Sequence, residues 1–166
     1  MTNQVYPWKR FWCSRSGSIN LGDNGYLYDP EAEWAKIYNP DLVTFEAICD
    51  LPCLALLGEP GIGKSHAIKV EQKEIISKVQ KQGDQVLFLD LRSYGSEDRL
   101  IRRLFESSEF TTWIGGEHHL HIFLDSFDEC LLRVNTLATL LVDEFKCQRE
   151  KVNRLHIRIA CRTAVW

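Results

Sequence analysis

Residues 53–65 read CLALLGEPGIGKS, and the fold prediction rests first on this stretch. Its first part, Cys53 to Gly58, is a short apolar run of the kind that forms a buried strand. Its second part, Gly58 to Ser65, matches the pattern G-x-x-x-x-G-K-S, and a helical pattern follows it. A strand, a glycine loop and a helix in this order are the context in which that pattern holds phosphate. The stretch therefore predicts a phosphate-binding loop.

Each residue type in the loop suits a phosphate chain. Glycines let the backbone N–H groups point inward with no Cβ in the way, and the start of the following helix adds the positive end of its dipole. Lys64 can reach the β- and γ-phosphates, and the Ser65 hydroxyl can ligate Mg²⁺. The predicted nucleotide-binding residues are Gly58, Glu59, Pro60, Gly61, Ile62, Gly63, Lys64, Ser65 and His66.

Beyond the loop, short apolar runs alternate with helical patterns, which is typical of strand and helix units around a parallel sheet. The further predicted strands are Val86–Leu91, His121–Asp125 and Leu155–Cys161. The predicted helices run from about Lys64 to Lys81, along a stretch with Leu100 and Leu104 that Ser96 can cap, and from about Asn135 to Glu150. The predicted fold class is therefore α/β with a mainly parallel sheet.

A second group of candidate residues lies in IFLDSFDE, Ile122 to Glu129. Asp125 ends a predicted strand, where an acid can hold Mg²⁺ through its water shell opposite Ser65. Ser65 and Asp125 are therefore the predicted metal-binding residues. Asp128 and Glu129 add two carboxylates beside the expected γ-phosphate position, where one can orient or deprotonate an attacking water.

Arg162 follows the fourth predicted strand directly. Ligands collect at the carboxyl ends of the strands in a parallel sheet, so Arg162 is expected on the same edge as the phosphate loop and Asp125. A guanidinium suits the spread charge of a leaving γ-phosphate. The predicted catalytic residues are Lys64, Asp128, Glu129 and Arg162.

The motifs GEPGIGKS, FLDLRS and IFLDSFDE, followed by a strand that ends in an arginine, resemble the NACHT group of STAND-class ATPases, which are relatives of the AAA+ proteins. The resemblance covers residues from about 45 to 166. It implies a P-loop NTPase fold of the ASCE type, a three-layer α/β/α sandwich. It also implies a Mg²⁺-associated carboxylate at Asp125, nucleotide-sensing or hydrolytic acids at Asp128 and Glu129, and a sensor arginine at Arg162.

The resemblance further implies an ATP/ADP switch that requires Mg²⁺. In that family ADP holds a closed monomer, and exchange for ATP allows homo-oligomerisation and activates an attached effector, in bacteria often for defence against phage. The sequence departs from the family at Cys161 and Thr163, where Ser and Pro are usual beside the arginine. Family members also continue into helical and winged-helix domains. We therefore expect residues 46–166 to form an NTPase core that is truncated after the sensor strand.

The first 45 residues differ in composition from the rest of the chain. They hold nine of the eighteen aromatic residues, interleaved with turn signals such as Asp29-Pro30 and Asn39-Pro40. So many aromatic side chains argue against disorder. Residues 1–45 are predicted to be an extension that packs on the core of residues 46–166.

Composition and charge exclude several functions for the 166-residue chain. Its 20 basic and 23 acidic side chains give a net charge of -3, so no global field attracts nucleic acid. Its longest apolar run, Cys53–Leu57, is far shorter than the ~20 residues of a membrane helix, and no signal peptide is recognisable. The six cysteines contain no Cys-x-x-Cys pair, and the rings of His118, His119 and His121 are not expected to converge on zinc. We expect a cytoplasmic protein with reduced cysteines.

Three alternatives remain open at the level of sequence. The first is an AAA+ ATPase that acts on nucleic acid, such as a helicase loader. The second is a small-molecule phosphotransferase that uses the same loop. The third is a truncated fragment that binds nucleotide without turnover. The loop contacts phosphates rather than a base, so the motifs do not distinguish ATP from GTP.

Overall fold

The structure is a computed structural model, and it describes residues 9–22, 27–79 and 83–166. The chain divides into two compact units, Met1–Asp50 and Leu51–Trp166. The division falls five residues beyond the predicted end of the extension at residue 45. The packing of the extension on the core stays a prediction.

Aromatic ring contacts and side-chain hydrogen bonds hold the first unit together. Trp12 meets Phe45 edge to face with ring centroids 6.0 Å apart, and Tyr28 stacks on Tyr38 at 5.0 Å. The buried amide of Asn39 donates to one backbone group of residue 20 and accepts from another. The elements of this unit are β1 (Trp12–Cys13), α1 (Ala35–Tyr38) and β2 (Leu42–Val43), and β1 pairs with β2 antiparallel.

Within its described residues, the second unit is mixed α/β. Its strands are β3 (Cys53–Leu57), β4 (Gln85–Asp90), β5 (Leu120–Asp125) and β6 (Leu155–Cys161). Its helices are α2 (Lys64–Val79), α3 (Glu97–Phe105), α4 (Ser108–Gly115), α5 (Phe127–Leu131) and α6 (Leu137–Lys146). Leu91–Ser93 and Arg149–Arg154 form 3₁₀ turns. The alternation of strands and helices agrees with the prediction from the sequence.

The four strands form one parallel sheet in the order β3-β6-β5-β4. The last strand in sequence therefore lies between the strand of the glycine loop and the strand of the acidic motif. The register pairs Leu57 with Cys161 and Asp90 with Asp125. All four strands consequently end at one side of the sheet, which we call the carboxyl edge, at Leu57, Asp90, Asp125 and Cys161.

The core surrounds β5, whose residues are buried almost without interruption. Such a continuous apolar strand is what a parallel sheet covered on both faces requires. Ile122 and Leu124 belong to one apolar cluster with Leu100 of α3 and Trp113 of α4. Phe123 points to the opposite face because side chains alternate along a strand, and α2 contacts β5. Packing of α2 on the sheet thus fixes the position of this helix relative to β5.

The four strands of the second unit were predicted to within one residue, whereas β1 and β2 of the first unit were not predicted. Helix prediction was less complete. The predicted helix from 135 to 150 is shorter, because α6 ends at Lys146 and a 3₁₀ turn follows. The predicted end of the first helix at Lys81 lies outside the described residues. Ser96 occupies the N-cap position of α3 without a side-chain capping bond. Three helices of the described residues, α1, α4 and α5, were not predicted.

A buried ion pair joins α2 to β6. Arg158 Nε lies 2.8 Å from Glu71 Oε1, and the two residues are 2% and 4% exposed. Arg158 Nη1 also donates to the Leu51 carbonyl at 2.6 Å. The sequence did not signal this pair, because Arg158 lies in an otherwise apolar strand run.

Three histidines meet near the amino ends of β5 and β6. His119 Nδ1 lies 3.3 Å from His156 Nε2, and the His121 ring stacks on His156 at 4.8 Å. His119 and His121 thus both contact His156, a residue that the prediction for His118, His119 and His121 did not include. Burial, followed by the charge of His156, lowers the pKa of His121 to about 4. The described residues contain no group of three His, Cys, Asp or Glu side chains arranged to hold a metal ion.

Replacement of Arg158 by methionine is expected to lower the free energy of unfolding by about 3–5 kcal/mol, because Glu71 then loses a buried ion-pair partner. The double variant Glu71→Leu/Arg158→Met should recover most of this loss, since neither substituted position then carries a charge. Urea unfolding measures both effects. A double variant as unstable as the single one would contradict this account of the pair.

Stability should fall as the pH drops from about 6.5 toward 4. The unfolded chain protonates His121 near its ordinary pKa of 6.5, whereas the folded chain keeps it neutral down to about 4. His119, His156 and Arg158 oppose protonation in the fold and Asp84 favours it. In His121→Phe, urea midpoints should decline less between pH 7 and pH 5 than in the parent. Parallel declines would argue against this origin.

Candidate phosphate-binding site

The loop between β3 and α2 has the backbone conformation that its glycines permit. The φ angles of Gly58, Gly61 and Gly63 are 154°, 83° and 97°, values that residues with a Cβ rarely adopt. A Cβ built on Gly61 would have no neighbouring atom within 4 Å, so the loop is open on that side. The helix α2 begins at Lys64, and its first turn has N–H groups without intrahelical acceptors. Loop and helix start together form a place where an anion can be bound.

Lys64 folds back over the beginning of this loop. Its Nζ donates to the Gly58 carbonyl at 2.6 Å and to the Glu59 carbonyl at 2.9 Å. These neutral acceptors bind an ammonium less strongly than a charged oxygen does. The ammonium group of Lys64 therefore already lies at the loop, where it can exchange these carbonyl oxygens for phosphate oxygens.

The glycine loop and the acidic motif meet through one hydrogen bond. Ser65 Oγ donates to Asp125 Oδ1 at 2.7 Å, across 60 residues of sequence. Asp125 is 1% exposed, at the end of β5. A hydroxyl and a carboxylate at this separation offer the hard oxygen ligands that Mg²⁺ prefers.

The two acids that follow Asp125 stay at the carboxyl edge because the chain turns sharply after β5. Ser126 adopts a left-handed conformation with φ 60°, and α5 begins at the next residue. Asp128 and Glu129 therefore lie in the first turn of α5. Asp128 is buried at 4% exposure, whereas the Glu129 side chain is 35% exposed.

Arg162 binds both of these acids from the end of β6. Its Nε lies 2.8 Å from Asp128 Oδ2, and its backbone N–H donates to Asp128 Oδ1 at 3.2 Å. Its Nη2 is 3.5 Å from Glu129 Oε1, which is a looser contact. The guanidinium thus fixes Asp128 firmly and leaves Glu129 more freedom.

The neighbouring Cys161 is buried, and burial together with the charge of Asp128 raises the pKa of its thiol. A thiol in the protonated form is a poor nucleophile. Cys161 therefore contributes packing, and it stands where the resembling family has a serine.

Sequence reasoning missed a further charged pair at the carboxyl edge. Asp90 ends β4 beside Asp125, and Arg92 clamps it, with Nε 2.9 Å from Oδ1 and Nη2 2.5 Å from Oδ2. This clamp lowers the pKa of Asp90 and raises that of Arg92, to which the charges of Glu129 and Asp125 also contribute. The only signal was the string FLDLRS, whose aspartate and arginine had received no role.

The structure brings six of the predicted residues to the carboxyl edge: Lys64, Ser65, Asp125, Asp128, Glu129 and Arg162. Four other predicted loop residues, Glu59, Pro60, Ile62 and His66, are exposed. Ile62 bends over Gly58, since a Cβ at Gly58 would lie 2.1 Å from Ile62 Cδ1. The roles of all these residues stay predictions.

An apolar groove of about 400 Å³ lies between β3, β6 and α6. Its lining includes Ile157, Ile159, Leu141 and Phe145. Lys146 and Arg149 also line it, but its other lining side chains are apolar, so it suits an apolar group better than a phosphate chain.

No protein-family model, curated protein or solved structure matches the chain. None of the six cysteines, all of which lie in the described residues, forms a disulfide bond. No helix in the described residues is long and apolar enough to cross a membrane. Function therefore has to be inferred from the geometry of the carboxyl edge.

Proposed function

We propose that this chain binds Mg²⁺ and ATP and hydrolyses the ATP, as a nucleotide switch of the NACHT type. The observation that carries the proposal is the 2.7 Å hydrogen bond from Ser65 Oγ to Asp125 Oδ1. A glycine loop or a strand-terminal acid is weak evidence alone. Their direct contact supports a common site, because a magnesium-bound nucleotide needs the hydroxyl and the acid side by side.

The residues present suit both groups. The positive φ angles of the loop and the open space at Gly61 suit a phosphate chain, and α2 supplies unpaired N–H groups. Ser65 and Asp125 would hold the metal ion, directly or through water. When bound, Mg²⁺ would draw negative charge from the β- and γ-phosphate oxygens.

Lys64 and Glu129 have the freedom that the reaction requires. Lys64 can exchange its two carbonyl acceptors for phosphate oxygens without a change of backbone. Glu129 is partly exposed and only loosely held, so its carboxylate can orient a water and accept a proton at Oε1. Asp128 is buried and tied to Arg162 twice, which suits a positioning role rather than proton transfer.

Arg162 is suited to respond to the nucleotide. Its guanidinium is partly exposed at 45% and faces both acids of α5. New negative charge near this guanidinium would compete with Glu129 for it and release the carboxylate. Binding and the freeing of the catalytic acid would then be coupled.

The finer parts of the proposal rest on the motif resemblance. They are the P-loop NTPase architecture, the preference for ATP over GTP, oligomerisation in the ATP state and a role in cytoplasmic defence signalling. The strand order β3-β6-β5-β4 supports the architecture, because it puts the strand before Arg162 between the strands of Lys64 and Asp125. Six cysteines without a disulfide bond suit a reducing compartment.

The variant Lys64→Ala is expected to weaken binding of Mg²⁺·ATP at least ~100-fold, because the phosphates lose their point charge. Titration calorimetry measures the affinity. Lys73→Ala, at an exposed position of the same helix, is the matched control and should bind as the parent does. Unchanged affinity in Lys64→Ala would refute the phosphate-loop assignment.

The variant Glu129→Gln is expected to keep the parent affinity for Mg²⁺·ATP and to slow hydrolysis by about 10²–10⁴-fold, since the amide cannot accept a proton. Phosphate release reports the rate, and Glu117→Gln at an exposed loop position is the control. Equal rates in parent and variant would exclude Glu129 as the base. A rate that single-stranded DNA stimulates would favour the helicase-loader alternative.

A further inference from the structure

Arg92 is a cation of the carboxyl edge that the mechanism above does not use. It lies in the 3₁₀ turn directly after β4, and the register of Asp90 with Asp125 puts this turn beside the acidic motif. Its guanidinium makes a two-pronged contact with Asp90. The contact occupies the hydrogen-bonding fork that Arg presents equally well to a carboxylate or to a phosphate.

The backbone of Arg92 is fixed to the helix that carries the proposed catalytic acid. Arg133 Nη1, just beyond α5, donates to the Arg92 carbonyl at 2.7 Å. The 3₁₀ turn and α5 are in direct contact. Glu129 and Asp125 both act electrostatically on the Arg92 guanidinium. The Arg92 side chain can therefore change its partner while the Arg92 backbone stays close to the helix of Glu129.

The two arginines of the edge differ in how easily they are released. Arg162 holds the buried Asp128 through its side chain and its backbone. The side chains of Arg92 and Asp90 are 53% and 33% exposed. An exposed ion pair contributes little to stability, so it can be broken at small cost. Arg92 is consequently the cation that is more easily given to an arriving ligand.

We propose that Arg92 discriminates ATP from ADP by exchanging Asp90 for the γ-phosphate. This inference rests on the proposed function and deepens it. With ADP the guanidinium stays on Asp90. With ATP the γ-phosphate offers more negative charge to the same fork, and the number of charged hydrogen bonds is conserved. Asp90 is then the partner of Arg92 in the absence of ATP. The strength of the Asp90–Arg92 ion pair sets how much binding free energy the γ-phosphate must supply to displace Asp90.

The test compares the dissociation constants of Mg²⁺·ADP and of a non-hydrolysable Mg²⁺·ATP analogue by calorimetry. Arg92→Ala should weaken the analogue about tenfold and change ADP less than about twofold. Asp90→Asn should strengthen the analogue several-fold relative to ADP, because the amide retains the acceptor for the Arg92 N–H but loses the charge that holds the guanidinium. Arg102→Ala, an exposed arginine of α3, is the control.

Three outcomes would overturn the inference: equal losses for the two nucleotides in Arg92→Ala, no loss for either, or an unchanged ratio in Asp90→Asn. If Arg92→Ala does not fold, Arg92→Lys decides, since it keeps the charge without the fork and should fall between parent and alanine for the analogue alone. Failure of the proposed function is recognisable separately. In that case the parent itself binds neither nucleotide.

Discussion

The hydrogen bond between Ser65 and Asp125 is the contact on which the carboxyl edge depends. It joins the first turn of α2 to the last residue of β5, although β3, the strand that precedes α2, and β5 are not neighbours in the sheet. The bond is possible only because β6 separates β3 from β5 and all the strands run in the same direction. The glycine loop, the acids of α5 and Arg162 all take their positions from this arrangement.

A second polar contact holds α2 farther along its length. Glu71 is six residues beyond Ser65 and pairs with Arg158, which lies four residues before Arg162 on β6. The helix is therefore attached to the sheet at its start through Asp125 and nearly two turns later through Arg158. These attachments link the glycine loop to β6, the strand that directly precedes Arg162.

The sequence predicted the strands and the six edge residues because both depend on local patterns. Apolar runs located β3 to β6, and motif spacing located Lys64, Ser65 and Asp125. Other features depend on which strands become neighbours, which a single sequence does not reveal. Arg158 appeared as an interruption of an apolar run, His156 had no visible partner, and Arg92 had no role until β4 was paired with β5. The family and the activity stay proposals.

The most direct test of the account is an NMR titration of the ¹⁵N-labelled chain with Mg²⁺ and a non-hydrolysable ATP analogue. If the carboxyl edge holds the nucleotide, the largest shifts will fall on the amides of Gly61, Gly63, Ser65 and Asp125. The Asp125 shift will require Mg²⁺, whereas the glycine shifts will also appear with nucleotide alone. Saturation without shifts at these amides, or shifts confined to the apolar groove around Phe145, would contradict the account.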